Sequence, residues 1–313
     1  MVHFYSKKFE NANQSIVNRE KSRTFALIVS KNNKEMTKAK KILYITQEMV
    51  PFVPETDMDQ MGRYLPQATL EKSREIRSFM PKWGIINERR NQLHEVIRLS
   101  GINIVVDDTD HPLVIKVASI TAARMQIYFI DNDDFFTGRG MGTDDDGKEY
   151  NDNAERAAFY ARGVLETIKK LKWSPDIIHC IGWMSSFVPL YIKTAYAEEP
   201  SFRDCKVVFT PSTQILTSPI PANMDGIIAF RNATISATQG LGEKKLIPML
   251  NKLGTKYADG IGFIEENETL RNYAEGLGKP CMQPIAKEEY GANYPTFYDN
   301  VWSIGRPDDE DTK

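Results

Sequence analysis

Residues 152–180 open with Asp152-Asn153-Ala154-Glu155-Arg156 and close with Trp173-Ser174-Pro175-Asp176-Ile177-Ile178-His179-Cys180. Between them Ala154, Ala158, Ala161, Leu165 and Ile168 recur at three- and four-residue spacing, which gives a helix one apolar face. Asp152 is the expected N-cap, and Glu155 three residues later completes a capping box. Lys169, Lys170 and Lys172 fall at the carbonyl end, where positive charge suits the helix dipole. Trp173-Ser174-Pro175 stops the helix and Asp176–Cys180 reads as a strand. Gly182 and Trp183 form a turn, Ser185–Tyr196 a second helix, and Lys206-Val207-Val208-Phe209-Thr210 a strand stopped by Pro211. Helix, strand, helix, strand at these lengths predicts an α/β fold, a Rossmann-like parallel sheet flanked by helices.

Upstream, Lys41-Ile42-Leu43-Tyr44-Ile45-Thr46 is a short apolar run, expected as a buried first strand. Pro51 and Pro54 impose a loop after it. Met61–Lys72 is expected to be helical, with Pro66 in its first turn or at a kink. Glu75–Met80 is the next strand, stopped by Pro81. Leu93–Val117 and Met125–Ile130 alternate apolar and polar positions with turn residues between them, which predicts β-hairpin insertions. Asp131–Asn151 is rich in Asp and Gly and is expected to be a loop. Downstream, Gly242–Tyr257 reads as a helix, Gly260–Ile264 as a last strand, and Glu268–Gly276 as one more helix.

With 313 residues, 41% of them hydrophobic and 26% charged, the chain carries enough apolar side chain for a large core. A net charge of −2 supplies no global field toward nucleic acid or an anionic membrane. No apolar run approaches the ~20 residues of a membrane helix. Cys180, Cys205 and Cys281 have neither knuckle nor redox spacing and their number is odd. They read as buried thiols of a cytoplasmic protein. Residues 1–38 read as a disordered basic leader, with Met36 an alternative start. Residues 39–305 read as one Rossmann-like domain, and 306–313 as a disordered acidic tail.

In an open parallel sheet, ligands bind beyond the carboxyl ends of the strands. The loops after Thr46, Cys180 and Thr210 are therefore the places to look for function. The chain resembles the bacterial glycogen and starch synthases, over the N-terminal half of the catalytic region, from about Lys40 to Glu265. The resemblance rests on Asp146-Gly147 through Arg156, on Asp176-Ile177-Ile178-His179-Cys180 with Trp183, and on Val188-Pro189-Leu190-Tyr191. Lys206–Thr210 and Tyr257-Ala258-Asp259 complete it. It implies a GT-B enzyme of two Rossmann-like domains that transfers glucose from ADP-glucose to the non-reducing end of an α-1,4-glucan. It implies retention of configuration and calls for no metal and no cofactor. It also implies that the chain ends where the donor-binding C-terminal domain would begin, so that a partner would supply that half.

The three loops depart from the family pattern. Where the family has Lys-Thr-Gly-Gly against the donor phosphate, alignment on Leu65-Pro66 places Pro54-Glu55-Thr56-Asp57. The family's second histidine and its aspartate become Ile181 and Gly182. After the third strand, Pro211-Ser212-Thr213 replaces Ile-His-Asn. Glu48, Glu55 and Asp57 are candidates for hydrogen-bonding the hydroxyls of a glucan acceptor, with Ser212 beside them. Trp183 either stacks on a sugar face or packs under the following helix. His179 reads as a hydrogen-bonded strand-end residue rather than a base. Asp144-Asp145-Asp146 reads as a surface loop rather than a metal site. The expected partners are an α-glucan such as glycogen or maltodextrin, and a protein partner or second copy at the open cleft face. The alternative to a synthase component is a non-catalytic glucan-binding or regulatory module.

Overall fold

The computed structural model describes residues 39–306. The leader expected over 1–38, with Met36, and the acidic tail from Pro307 lie outside the described residues.

The first strand, β1 (Lys41–Thr46), lies in the middle of a mixed sheet. It pairs in parallel with β2 (Glu75–Pro81) on one side and, much later in sequence, with β7 (Ile177–Ile181) on the other. A strand with parallel neighbours on both sides and helices over both faces has no wet face, which is why its residues are continuously apolar. Between β1 and β2 runs α1 (Asp57–Glu71). After β2 come the two-residue β3 (His94–Glu95), then β4 (Ile102–Val106), β5 (Thr109–Ile120) and β6 (Met125–Asp131). β4–β5 and β5–β6 are antiparallel, and β6 returns parallel to β2. The predicted hairpins thus extend the main sheet. Helix α2 (Asn153–Lys170) leads into β7, and α3 (Phe187–Lys193) leads to β8 (Lys206–Thr210). The short α4 (Met224–Ile228) and α5 (Leu246–Tyr257) precede β9 (Gly260–Gly262). α6 (Glu268–Gly276), β10 (Cys281–Met282) and α7 (Tyr290–Ser303) complete the fold. The strand order is β10-β9-β8-β7-β1-β2-β6-β5-β3, with β4 also on β5. From β1 the sheet grows through β2, β6 and β5 on one side and, after α2 crosses back, through β7, β8 and β9 on the other, so the topological switch lies between β1 and β7.

The alternation of the strands sorts the core into two layers. Leu43, Ile45, Ile178, Cys180, Val207 and Phe209 face the larger layer, which holds α2, α3 and α5. Ile42, Tyr44, Ile177, Ile181 and Val208 face a smaller layer made with α1 and α7.

Several expected boundaries move. α1 begins at Asp57, because Thr56 is a true N-cap: its hydroxyl accepts from Asp59 N while Asp59 reaches back to Thr56 N. Pro66 therefore sits inside the helix, not in its first turn. Pro81 belongs to β2 rather than stopping it. The capping box expected at Asp152 does not form, because Asp152 is turned to Arg139 and makes no cap hydrogen bond. α3 ends at Lys193, well short of Tyr196, and α5 starts at Leu246 rather than Gly242. β9 stops at Gly262. α7 is new. Tyr290, Tyr294, Phe297, Tyr298, Val301 and Trp302 are buried along one side of it, a helical stripe interrupted in sequence by the poor helix formers Gly291, Asn293, Pro295 and Asn300.

Candidate functional site

The carboxyl ends of β1, β7 and β8 form a crest, and two hydrogen-bonded groups occupy it. The first is built on the end of β1. Gln47 N donates to Ile181 O at 3.2 Å, so the β1–β7 ladder continues one residue past the strands. Tyr160 donates to Thr46 O at 2.8 Å and Trp83 Nε1 to Gln47 O at 2.6 Å, pinning the backbone from the α2 side. Glu48 is buried, with both carboxylate oxygens taken: Oε1 accepts from Gln47 Nε2 at 2.5 Å and Oε2 from the Thr56 hydroxyl at 2.8 Å. Glu48 is thus neither free for a glucan hydroxyl nor part of a solvated loop, because Gln47 and Thr56 already donate to both of its oxygens. Glu55 and Asp57 are exposed, as is Pro54. Glu55 Oε1 accepts from Gln60 Nε2 at 3.1 Å.

Asp59 went unnoticed in the sequence. Its signal was the Thr56-x-x-Asp59 spacing, a capping box with Asp in the usual Glu position. It is fully buried, and one of its oxygens has no partner among the described residues. Burial pushes its pKa up to about 6, against the pull of the Thr56 N–H and helped by the charges of Glu48, Glu55 and Asp57. The helix approaches so closely that a Cβ on Gly62 would stand 2.2 Å from Glu48 O.

The second group surrounds the turn after β7. Gly182 has φ +86°, in the left-handed region, and its N–H donates to Thr210 O at 2.9 Å. The Gln47 side chain lies over it: a Cβ there would meet Gln47 Oε1 at 2.2 Å. That oxygen is buried and has no partner among the described residues. Ile181 is buried, with its side chain in the α1/α7 layer. Trp183 is completely buried, so packing, not stacking on a sugar, accounts for the ring here. Its Nε1 donates to Gln214 Oε1 at 2.8 Å, and Gln214 N donates to Ser212 Oγ at 3.1 Å. Ser212 is also buried and exchanges two hydrogen bonds with the Asn251 amide, at 2.9 and 3.0 Å. The structure thus brings Glu48, Gly182, Trp183 and Ser212 into one crest, through Gln47 and Gln214, while Glu55 and Asp57 stay on its outer rim.

The Asp144–Arg156 segment braces this crest from the side. Asp144 Oδ1 accepts from Asp146 N and Lys148 N, an Asx-type turn. Glu149 clamps the loop after β8 through Thr217 and Ser218. Arg139 makes a bidentate pair with Asp152 at 2.5 and 2.7 Å. Arg156 is fully buried and donates to Phe135 O, Asn153 Oδ1 and Gly140 O at 2.7–2.9 Å. Burial and the nearby Arg139 charge pull its pKa down to about 10. The ion pair of this segment therefore belongs to Arg139, while Arg156 is held by neutral acceptors. Lys82, at the end of β2, is bound to Glu88 at 2.9 Å. Each of these three cations is already engaged.

His179 lies in the floor. Its Nδ1 is 2.7 Å from Tyr298 Oη and its Nε2 is 2.8 Å from Thr210 Oγ1. Burial pulls its pKa down to about 3, so the ring is neutral and both nitrogens are used. It has no free position for a base. Among the described residues no group of three or more His, Cys, Asp or Glu is placed to hold a metal ion, and no helix is long and apolar enough to cross a membrane.

Comparison with known proteins agrees with this frame. The glycogen synthase of Pelodictyon phaeoclathratiforme is 39% identical over 171 residues, which is 54% of this chain and 35% of that protein. The glycogen synthases of Chlorobium limicola and Chlorobaculum tepidum are each 40% identical over the same length and coverage. The chain thus spans about a third of the length of the curated relatives it matches. The catalytic domain of starch synthase IV from Arabidopsis thaliana, bound to ADP and acarbose, superimposes with a TM-score of 0.62 at 15% identity. That match covers 80% of this chain and 52% of the other, and it speaks to the fold. The family model described as the starch synthase catalytic domain matches residues 41–261. By that match, across β1 to β9 and the crest between them, the chain belongs to the starch synthase catalytic domain family.

Proposed function

We propose that this protein is a glycogen/starch synthase-like component of α-1,4-glucan biosynthesis: its crest holds the glucan, and the donor phosphate is held by groups outside residues 39–306. The observation that carries this reading is the engagement of the three cations described beside the crest, with Arg139 on Asp152, Arg156 on three neutral oxygens and Lys82 on Glu88. Loss of a nucleoside diphosphate needs positive charge or aimed donors at the departing phosphate, typically worth several kcal/mol. The loop after β1 offers Glu55 and Asp57 instead. Gln47, whose Oε1 has no partner among the described residues, and the half-buried Gln214 supply the amide chemistry that sugar hydroxyls take. The three free thiols support a reducing compartment, the cytoplasm.

The test uses the full chain with labelled ADP-glucose and glycogen. Glycogen co-sedimentation is expected with the chain alone, and incorporation of label only when a donor-binding protein from the same cells is added. Failure to co-sediment with glycogen or to bind maltodextrin would sink the glucan reading. Turnover by the chain alone would refute the external donor site. A second reading, docking of a protein partner or a second copy on this edge, is favoured by two apolar side chains on loops at the strand ends. Ile215, after β8, is 88% exposed and Ile85, after β2, is 51% exposed. Light scattering that gives a dimer mass, lost in Ile215→Asp, is the outcome that reading requires.

A further inference from the structure

The crest is held from below by a helix that lies beyond the segment matched by the family. α7 covers β1, β7 and β8, and its Tyr298 stands at the centre of a buried hydroxyl chain. Thr69 Oγ1 lies 2.7 Å from Tyr44 Oη, which lies 3.2 Å from Tyr298 Oη. Tyr298 continues to His179 Nδ1 at 2.7 Å, and His179 Nε2 to Thr210 Oγ1 at 2.8 Å. A neutral imidazole donates from one nitrogen and accepts at the other, so His179 donates to one of these two hydroxyls and accepts from the other. Thr210 is the last residue of β8, and its carbonyl receives the Gly182 N–H at 2.9 Å. The Gly182 turn in turn carries Trp183 and lies under Gln47. The neighbouring Tyr294 is equally buried and stacks on His179, yet its hydroxyl has no partner among the described residues. One helix therefore presents two buried tyrosines to the same histidine, and only one of them is wired to the crest.

We propose that Tyr298 is a positioning residue for the crest: through His179 and Thr210 it sets the Gly182 turn on which ligand binding at this edge depends. The affinity consequence rests on the glucan reading above, while the positioning itself does not. The experiment compares Tyr298→Phe with Tyr294→Phe in the full chain. Amide hydrogen exchange at Gly182 is read relative to Ile115 in β5, and maltoheptaose is titrated by calorimetry. Loss of one buried hydrogen bond is expected to speed Gly182 exchange roughly five-fold in Tyr298→Phe and to leave it unchanged in Tyr294→Phe. Maltoheptaose affinity should fall by a similar factor in the first variant alone. Unchanged Gly182 protection in Tyr298→Phe, or equal loss in both variants, would overturn the proposal. Should Tyr298→Phe fail to fold, Thr210→Val breaks the chain at its other end and is held to the same outcomes. A parent protein that binds no maltoheptaose would remove the glucan reading, and the exchange ratio would still decide the positioning role.

Discussion

Asp59→Asn should stabilise the protein at neutral pH and do nothing for it in acid. Asp59 is enclosed beneath the exposed Glu55-Thr56-Asp57 rim, with one oxygen bonded to Thr56 N and the other unpartnered. Its pKa rises from 3.8 to about 6 on folding, first because burial penalises the carboxylate. A raised acid pKa means that the folded state binds the proton more tightly than the unfolded chain does. The favourable contribution is complete below pH 3.8 and is lost as pH climbs through about 6. At 1.36 kcal/mol per pH unit the whole shift corresponds to about 3 kcal/mol. Because the neighbouring Glu55, Thr56 and Asp57 are exposed, solvent screening reduces this to roughly 1–2 kcal/mol. Asn keeps the acceptor for Thr56 N and removes the buried charge, while forgoing ~0.3–1 kcal/mol of carboxylate–dipole attraction at the helix N-terminus. The net expectation is a gain of about 1 kcal/mol at pH 7.5 that vanishes near pH 4. Urea unfolding of both proteins at half-unit pH steps measures it, since the other carboxylates titrate in both and cancel in the difference. A variant less stable at pH 7.5, or a gain that persists at pH 4, would refute the reasoning.

Arg156→Lys should cost about 2–4 kcal/mol by urea unfolding, because an ammonium cannot serve the three acceptors that the guanidinium reaches and leaves them unpaired. A loss below about 0.5 kcal/mol would show that the brace is dispensable. Gly62→Ala should destabilise, although alanine is the better helix former by ~1 kcal/mol, because its Cβ would lie 2.2 Å from Glu48 O. Gly276→Ala, with nothing within 4 Å of the new methyl, should instead stabilise by ~0.4–1 kcal/mol, read as a slightly higher thermal midpoint. Equal signs for the two would contradict the packing argument. A thiol titration of the native protein at pH 8 should report Cys281 slowly and first, since it is only half-buried, with Cys180 and Cys205 appearing after denaturant is added. Fast reaction of all three would mean that the strands open.

What was legible in sequence followed from apolar runs with hard stops. Lys206–Thr210 is a strand from first to last residue and Glu268–Gly276 a helix likewise, because Pro211 and the flanking turn residues leave little room for error. Local capping logic went wrong at Asp152, because a distant arginine outbid the adjacent N–H groups for its carboxylate. It was overlooked at Thr56, where the same logic did hold. α7 was hidden because its aromatic stripe is diluted by Gly, Asn and Pro, and tertiary burial overrides that weak local propensity. The crest was located from the strand ends, but burial within it was not readable. Glu48 and Trp183 sit in loop-like sequence, and only the folded chain shows Thr56 and Gln214 closing on them. Gln47 is silent in sequence because an isolated amide has no spacing signature, whereas Asp59 carries one, the Thr56-x-x-Asp59 capping box with Asp in the usual Glu position.

The placement of α7 has a consequence for how the protein is made. β1 emerges early in synthesis and α1 soon after it, yet the cover on this face of the central strand is completed by a helix whose Tyr298 follows Tyr44 by 254 positions. The Asp299 carboxylate, which accepts from Ala39 N and pairs with Arg74 beside β2, arrives equally late. At ~5–20 residues per second, Ile42 and Tyr44 wait on the order of tens of seconds for this part of their cover, and Ile177 and Val208, made later, wait roughly half as long or less. During that interval the nascent chain presents an incompletely covered apolar surface, so its yield in cells should respond to chaperone supply more than to the stability of the finished fold.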